Sequence, residues 1–338
     1  MTEISQKGAR ILFVQPNKKQ IHFSSELRKC RENIWLLSCR GGPYERCLRS
    51  MNFINMRLSR EDIIEAMEQL EFHDPLIWID RVHGFDYRYF SRFATVYDLV
   101  DEILAFGRMR NSKMLIELEN CVLKNANLLI SSSDTLMKRK IQQSGRKGES
   151  IFIPNGVNTE RFRQYLEKPK KNIIGFVGQI SERSIDAELI HHVAKKHPEW
   201  KFVFTGPGTD TDRKKLCGDI SNISTREPVT GDEIPDVIAS YDVCMIPYLH
   251  NDPSMDYVFP RKACEYLASG RPVVSTALSE VNALQPFVIV ADTPEEFEKA
   301  ISNALKDESV QEKIEFARRF DWNVLMPTLI QKLNEIMQ

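Results

Sequence analysis

Lys262 and Glu265 are the residues whose types and spacing point most directly to ligand chemistry. They lie in a segment that we predict to be a short helix over about 260–269, because Pro260 suits the first helical position and Gly270 ends the helix. The free N–H groups at a helix start and a nearby Lys suit a diphosphate, and a carboxylate one turn further on suits a ribose diol. A Lys/Glu pair three residues apart is more often a solvated helix face, so spacing alone leaves both interpretations open.

The rest of this helix provides a packing face. Ala263, Tyr266 and Leu267 recur at helical spacing and are apolar, which predicts that they are buried. The run PVVST at 272–276 follows the turn and is typical of a parallel strand that is buried on both faces. The predicted unit is therefore a helix anchored on one face to a sheet, with a cation and a carboxylate on another face.

Two sequence blocks resemble a known family. PRKACEYLASGRPVVST, at 260–276, resembles the P-x-K-x-x-E-Y-L-A-x-G-x-P-V-V block of retaining glycosyltransferases of the GT-B fold, family 4 type. IPNGVNTERF, at 153–162, resembles the same family's I-P-N-G-V-D-x-x-x-F signature. The blocks stand in the family's usual order and separation, and similar stretches extend from about Ile11 to the C-terminus. Many family members carry another Glu eight residues before the Glu of the first block. Members of the teichuronic acid and exopolysaccharide assembly kind, which this chain resembles, have the P-x-K-x-x-E form without that earlier Glu.

This resemblance implies an α/β fold of the GT-B kind, with two Rossmann-like domains facing each other across a cleft. We expect an acceptor-side domain at 1–165 and a nucleotide-sugar-binding domain at 166–322. The polar segment EKPKKN, at 167–172, is typical of a linker between them. In the family the last helix, here about 323–338, packs back on the first domain.

Composition excludes several classes of protein. A chain of 338 residues with 42% hydrophobic and 28% charged residues is ordinary for a globular protein with two cores. A formal net charge of −1 argues against a nucleic-acid partner. No apolar stretch approaches the roughly 18 residues of a membrane span, so we expect a cytoplasmic protein and leave open a peripheral contact with the membrane. The cysteines lack C-x-x-C spacing, so neither a disulfide framework nor a zinc site is predicted.

Strands and helices are predicted to alternate along the chain, which indicates a parallel sheet. In the first part we predict a strand at 9–16, a helix at 24–32, a strand at 33–38, a helix at 60–72 and a strand at 75–80. A further strand is expected to end at Tyr97. No G-x-G-x-x-G follows the first strand, which argues against a dinucleotide oxidoreductase.

Tyr97 and Asp98 are the catalytic candidates of the first half. The resemblance implies that they match a His-Asp pair facing the donor sugar or acceptor. The change from His to Tyr removes a general base, so Asp98 is the better candidate for accepting the acceptor hydroxyl's proton or holding a sugar hydroxyl. The alternative is that Asp98 caps a helix, with Glu102 as a first-turn carboxylate. Further candidates for the acceptor or cleft are His83, Asn155 and Tyr257.

The donor-binding candidates share positions beside glycine loops or on the 260–269 helix. They are Gly178, Arg183, Gly206, Val229, Arg261, Lys262 and Glu265. Family members often hold the donor diphosphate with Gly-Arg and Lys-Gly pairs, and this chain has Gly178-Gln179 in the first position and no Lys-Gly. No D-x-D stands in a suitable loop, so neither a metal nor a cofactor is expected.

The family's E-x7-E pattern has Tyr257 in place of its first Glu, and Asp252 or Asp256 could replace that carboxylate in another loop register. Two functions remain open. The first is a retaining glycosyltransferase using a nucleotide-diphosphate sugar, more in keeping with UDP than GDP, and acting on a glycan or lipid-linked acceptor in cell-surface polysaccharide synthesis. The second is a non-catalytic nucleotide-sugar-binding or scaffold subunit of a polysaccharide assembly complex. The sequence does not identify the sugar or the acceptor.

Overall fold

A computed structural model describes residues 8–15, 23–41, 49–82, 85–102, 112–162, 171–249, 257 and 259–338. The chain divides into two compact units. The first comprises Met1–Ile130, Lys138–Ile151 and Leu333–Gln338, and the second comprises Ser131–Met137 and Phe152–Lys332. The domain limits expected from the sequence stay a prediction.

The first unit begins with a three-stranded sheet. Strands β1 (Ile11–Gln15), β2 (Glu26–Arg31) and β3 (Ile34–Ser38) are ordered β1-β3-β2, with β1 parallel and β2 antiparallel to β3. The predicted helix at 24–32 is therefore wrong. Asn33 has a left-handed φ of 58°, which asparagine tolerates, so the chain turns back there and pairs Leu27 with Leu37 in a hairpin.

Most of a four-stranded sheet also lies in this unit, while Ser131–Met137 and Phe152 of its elements are assigned to the second unit. Its elements are α1 (Arg49–Gln69), β4 (Ile77–Ile79), α2 (Tyr87–Phe90), β5 (Thr95–Leu99), α3 (Ser112–Asn125), β6 (Leu128–Ser131), α4 (Asp134–Ser144) and β7 (Glu149–Phe152). The strand order is β4-β5-β6-β7. The predicted end of β5 at Tyr97 is wrong, since the strand continues to Leu99. Asp98 thus lies within the strand, and this excludes the alternative that it caps a helix.

The second unit holds a six-stranded sheet whose strand pairs are all parallel. Its strands are β8 (Ile173–Val177), β9 (Lys201–Thr205), β10 (Ile223–Arg226), β11 (Val243–Ile246), β12 (Val273–Thr276) and β13 (Val288–Ala291). Its helices are α5 (Ala187–Lys196), α6 (Asp210–Cys217), α7 (Ile234–Ala239), α8 (Arg261–Ala268), α9 (Pro294–Ala304), α10 (Val310–Ala317) and α11 (Trp322–Ile336). Within the described residues, 3₁₀ helices include Thr159–Phe162, Ser279–Leu284 and Arg318–Phe320.

The strand order of this sheet is β10-β9-β8-β11-β12-β13. The chain builds outward from β8 through β9 to β10, and then returns to place β11 on the other side of β8. In open α/β sheets the loops at the carboxyl ends of two such strands diverge and leave a crevice where ligands bind. The topology therefore points to the residues that follow β8 and β11.

Helix α8 agrees with the helix predicted for 260–269. Pro260 directly precedes its first helical residue, and Gly270 ends it with a left-handed φ of 71°. The predicted packing face is confirmed, because Ala263, Tyr266 and Leu267 are all 0% exposed. Burying these three side chains fixes which face of α8 carries Lys262 and Glu265.

Candidate functional site

Helix α8 is attached to the end of β8 by a buried tyrosine. The Tyr266 hydroxyl accepts a hydrogen bond from the backbone N–H of Val177, with an N–O distance of 2.9 Å. Burial places the pKa of this tyrosine well above its usual value, so the hydroxyl stays neutral. The first turn of α8 is therefore held beside the loop that leaves β8 at the topological switch.

The Lys262 ammonium contacts two aromatic rings beside the end of β8. Its Nζ is 4.3 Å from the centroid of the Phe176 ring and 4.7 Å from that of the Tyr248 ring, and it donates a hydrogen bond to the Tyr248 hydroxyl. Phe176 is in β8, and Tyr248 follows β11. The two strands that flank the topological switch point, β8 and β11, thus each provide or lead to one aromatic residue that contacts the ammonium.

Two predicted glycines shape the space next to this ammonium. Gly178 follows β8 with φ 153°, and a Cβ there would lie 2.8 Å from the Nζ of Lys262. Gly206 follows β9 with φ 149°, and a Cβ there would lie 2.0 Å from the Gly178 carbonyl oxygen. Only glycine combines these backbone angles with such close approaches. Gly178 leaves room for the lysine amine, and Gly206 lets the two loops come together.

Glu265 faces away from bulk water, with a side chain that is 14% exposed. Its Oε1 is 3.0 Å from the Nε of Arg261, one turn earlier, whose side chain is 67% exposed. Burial raises the pKa of Glu265 above its usual value, while Arg261 and Lys262 oppose that rise. The site therefore offers a shielded carboxylate that can accept hydrogen bonds from hydroxyl groups.

Arg161 is a cation beside Glu265 that the sequence analysis did not identify. It lies in the 3₁₀ helix Thr159–Phe162, and its charge acts to lower the pKa of Glu265. Its guanidinium donates to the Gly231 carbonyl at 2.7 Å and pairs with Asp232 at 3.1 Å. The signal was available, since Arg161 stands within the IPNGVNTERF block, but its proximity to α8 depends on the fold.

Two other donor-binding candidates, Arg183 and Val229, lie in loops of the second unit. Arg183 is exposed, and its backbone N–H donates to the Ser181 hydroxyl at 3.2 Å. Val229 is half-buried in the loop between β10 and α7. Across the parts of the chain that the structure describes, no hydrogen bond, ion pair or ring contact joins either residue to Lys262 or Glu265. Their donor-binding roles stay predictions.

Asn155, in the IPNGVNTERF block, contacts the segment that leads into α8. Its side-chain amide donates to the Phe259 carbonyl at 3.0 Å, two residues before the helix begins. Tyr257, which also precedes α8, is half-buried. His83, Asp252 and Asp256 lie outside the described residues. The role expected for Asn155 at an acceptor or cleft stays a prediction, and the contact that the structure shows is structural support for α8.

Asp98 occupies a different place, in β5 of the first unit. The Trp78 indole N–H donates to its Oδ2 at 3.1 Å. Burial raises the pKa of Asp98 to about 6, with a further rise from Asp80 and an opposing effect from the indole hydrogen bond. A carboxylate with a pKa near neutrality can accept a proton from a reacting hydroxyl and release it again.

Tyr97 belongs to a buried ionic cluster of the first unit. Its hydroxyl donates to Glu119 at 3.0 Å, and Lys140 donates to both Glu119 and Glu102 at 2.7 Å. Successive residues of a strand face opposite sides of the sheet, so Tyr97 points away from the side on which Asp98 lies. Burial, with the neighbouring carboxylates, raises the pKa of Tyr97 well above its usual value. The catalytic role expected for Tyr97 stays a prediction.

The described residues show neither a metal-binding cluster nor a membrane-spanning helix. Among the described residues, no group of three or more His, Cys, Asp or Glu side chains is arranged to hold a metal ion. No helix within the described part of the chain has the length and hydropathy required to cross a bilayer. The expectation that the site uses no metal stays a prediction.

Residues 171–307 match the family model described as glycosyl transferases group 1. TuaH of Bacillus subtilis strain 168, assigned as a glycosyltransferase of teichuronic acid biosynthesis, is 29% identical over 270 residues, which cover 72% of this chain and 67% of TuaH. The matched family segment contains β8 to α9, and thus Gly178, Lys262 and Glu265.

Solved structures show the same fold. Sucrose-phosphate synthase of Thermosynechococcus elongatus superposes with a TM-score of 0.73 at 16% identity, covering 98% of this chain and 90% of that one. HepE of Anabaena, solved in complex with UDP, superposes with a TM-score of 0.64 at 16% identity, covering 81% and 82% of the two chains. The predicted α/β fold with two Rossmann-like units is confirmed.

Proposed function

We propose that this chain, which is a glycosyltransferase of the GT-B fold and the family 4 type, transfers a sugar from a UDP-sugar to a hydroxyl of a glycan or lipid-linked acceptor. The anomeric configuration is retained, and the product contributes to cell-surface polysaccharide. HepE crystallised with UDP and with UDP-glucose supports the choice of UDP, and the assignment of TuaH supports the polysaccharide role. The proposal places the reaction at the cytoplasmic face of the membrane, where a lipid-linked acceptor is presented.

The observation that carries this proposal is that Lys262 and Glu265 both lie on α8 outside its packing face of Ala263, Tyr266 and Leu267. Lys262 is on the first turn, where the helix dipole favours an anion. Glu265 is nearly one turn further along and shielded from water. A nucleoside diphosphate presents a matching pair of groups, with its phosphates toward the helix start and its ribose hydroxyls toward the carboxylate.

These residues act on the leaving group. As the bond between the anomeric carbon and the diphosphate breaks, negative charge grows on the phosphate oxygens. The ammonium of Lys262 and the positive end of the α8 dipole stabilise that charge more strongly in the transition state than in the bound donor, which accelerates the reaction. In this proposal protein groups supply the positive charge, and no metal is required.

Asp98 is the residue that we assign to the acceptor. Its carboxylate accepts the proton of the attacking hydroxyl, or holds a sugar hydroxyl by hydrogen bonding, while the Trp78 indole keeps it oriented. A pKa of about 6 leaves it mostly ionised at neutral pH and still basic enough to take up a proton. Retention of configuration requires the acceptor to approach on the face from which the diphosphate departs.

Donor turnover tests the proposal. Purified protein is incubated with a panel of UDP-sugars and GDP-sugars, and release of the nucleoside diphosphate is followed with and without glycan acceptors. We expect release from a UDP-sugar by the wild type, and strongly reduced release by Glu265→Ala and Asp98→Ala. If UDP binds but no donor in the panel is turned over, the non-catalytic nucleotide-sugar-binding function is supported instead.

A further inference from the structure

We propose that Tyr248 and Phe176 are positioning residues that hold the Lys262 ammonium where the donor diphosphate binds. The proposal rests on the proposed function, because it assigns Lys262 to the diphosphate. Neither aromatic residue belongs to the sequence blocks that resemble the family. Their role follows from side-chain geometry at the switch point between β8 and β11.

The two rings and the amine form a compact group. The Phe176 and Tyr248 rings contact each other edge to face, with centroids 6.2 Å apart and planes at 74°. The Lys262 Nζ lies within 5 Å of both centroids and donates to the Tyr248 hydroxyl. A cation close to two aromatic rings is attracted by both quadrupoles, and the hydroxyl adds a directed hydrogen bond. Together they restrict an otherwise flexible side chain.

Both rings are themselves fixed. Phe176 is 0% exposed within β8, and its ring also contacts Phe204 with a centroid separation of 5.7 Å. The Tyr248 carbonyl accepts a hydrogen bond from the Thr276 hydroxyl at 2.8 Å, and its backbone forms a bridge with Ile185. The amine is therefore held by the sheet itself, which gives it a defined position before any ligand binds.

The partners of this amine are uncharged, which matters for anion binding. Considering only residues that the structure describes, no carboxylate lies within 4.0 Å of the Lys262 Nζ. Arg261, by contrast, already pairs with Glu265 at 3.0 Å. An ammonium held by rings and a hydroxyl keeps its attraction for phosphate, since these direct contacts carry no negative charge and Glu265 acts on it only at longer range. Within the described part of the chain, the rings and the hydroxyl thus orient Lys262 without forming an ion pair with it.

Gly178 lies next to the Lys262 amine in the loop after β8. A Cβ at this position would lie 2.8 Å from the Lys262 Nζ, so the amine is in contact with bare backbone there. The ammonium is flanked by rings on one side and by the glycine loop after β8 on another. That loop is where ligands of open parallel sheets collect.

Calorimetry with UDP and with uridine tests the proposal on the full-length protein. Tyr248→Phe removes the hydroxyl and keeps the ring, and we expect it to weaken UDP binding roughly fivefold. Phe176→Leu removes one ring, and we expect a loss of roughly threefold. Uridine has no diphosphate, so its affinity is expected to be the same in the wild type and in both variants.

A double-mutant cycle separates positioning from a general structural effect. Lys262→Met is expected to weaken UDP binding, and adding Tyr248→Phe to it is expected to cause no further loss, because the hydroxyl acts through the amine. Tyr241→Phe is the matched control. It removes the hydroxyl of a buried tyrosine in the same sheet, which bonds to Thr205 at 2.7 Å, and should leave UDP affinity unchanged.

Each contrary result has a distinct meaning. If Tyr248→Phe leaves UDP affinity intact, or lowers it equally in the Lys262→Met background, or weakens uridine as much as UDP, the positioning role is wrong while the proposed function stands. If the wild type binds neither UDP nor another nucleoside diphosphate, the proposed function fails and the positioning role fails with it.

Discussion

In the function that we propose, Glu265 is the residue that recognises the ribose of the nucleoside. Its carboxylate is shielded from solvent, burial raises its pKa, and Arg261 is paired with it. A carboxylate in this state forms strong hydrogen bonds with the two hydroxyls of a ribose. Removing its charge should therefore affect the ribose more than the base or the phosphates.

We predict that Glu265→Gln weakens UDP binding roughly tenfold, since a charge-assisted hydrogen bond is replaced by a neutral one. The wild type should prefer UDP over 2′-deoxy-UDP, and this preference should shrink in the variant. Calorimetry with the two nucleotides measures both effects. Glu298→Gln, which alters an ion pair with Lys196 in the same unit, is the control. An undiminished preference for UDP in Glu265→Gln would show that the carboxylate does not bind the ribose.

Asp98 gives a prediction about stability and pH. Burial raises its pKa to about 6, so the folded protein holds the proton more tightly than the unfolded chain does. The ionised form therefore destabilises the fold. This penalty is absent below the unfolded pKa of about 4, grows between about pH 4 and pH 6, and is complete above pH 6.

Asp98→Asn should accordingly stabilise the protein at pH 7.5, by on the order of 1 to 3 kcal/mol, and give no gain at pH 4. Urea unfolding at the two pH values measures the difference. Asp74→Asn replaces an exposed aspartate of the same unit and should change little at either pH. A gain of equal size at both pH values would mean that the stabilisation has a cause other than ionisation of Asp98.

At the scale of elements, the first unit depends on a buried ionic cluster. Lys140 in α4 donates to Glu119 in α3 and to Glu102 after β5, and Glu119 also accepts from Tyr97 in β5. All four side chains are buried. Two carboxylates in such a place tolerate each other only because an ammonium lies between them. The cluster therefore fixes how α3 and α4 pack beside β5.

We predict that Lys140→Met destabilises the protein by roughly 3 to 5 kcal/mol at neutral pH, because it removes the cation that pairs with the buried Glu119 and leaves Glu102 paired only at 3.4 Å with Arg139. Lys124→Met, on the exposed face of α3, should change stability by less than about 0.5 kcal/mol. Thermal or urea unfolding compares the two. Similar small effects from both substitutions would show that the buried cluster makes no net contribution to stability.

The elements themselves were mostly predictable where a local signal exists. Periodicity and the Pro/Gly boundaries located α8 and its buried face, and the β-branched run located β12. The β2 hairpin was missed because ELRKCRE has no clear alternation and the decisive feature, a left-handed Asn33, is a property of one backbone angle. The end of β5 was placed two residues early for a similar reason, since charged Asp98 looks like the start of a loop.

At the scale of the whole molecule, the alternation of strands and helices and the two family blocks were sufficient to predict the fold. The chemistry of the site was only partly predictable. Lys262 and Glu265 follow from spacing within one helix, whereas Phe176 lies in β8 and Tyr248 follows β11. Such contacts between residues far apart in sequence depend on strand order, which is set by the fold and not by any local pattern.

The most direct measurement for this account is calorimetric titration of UDP into the wild type, Lys262→Met and Glu265→Gln, with Tyr241→Phe as the control. We predict that UDP binds to one site in the wild type, that Lys262→Met and Glu265→Gln each weaken binding by roughly tenfold, and that the control binds like the wild type. UDP binding of undiminished strength in both Lys262→Met and Glu265→Gln would contradict the placement of the donor on α8.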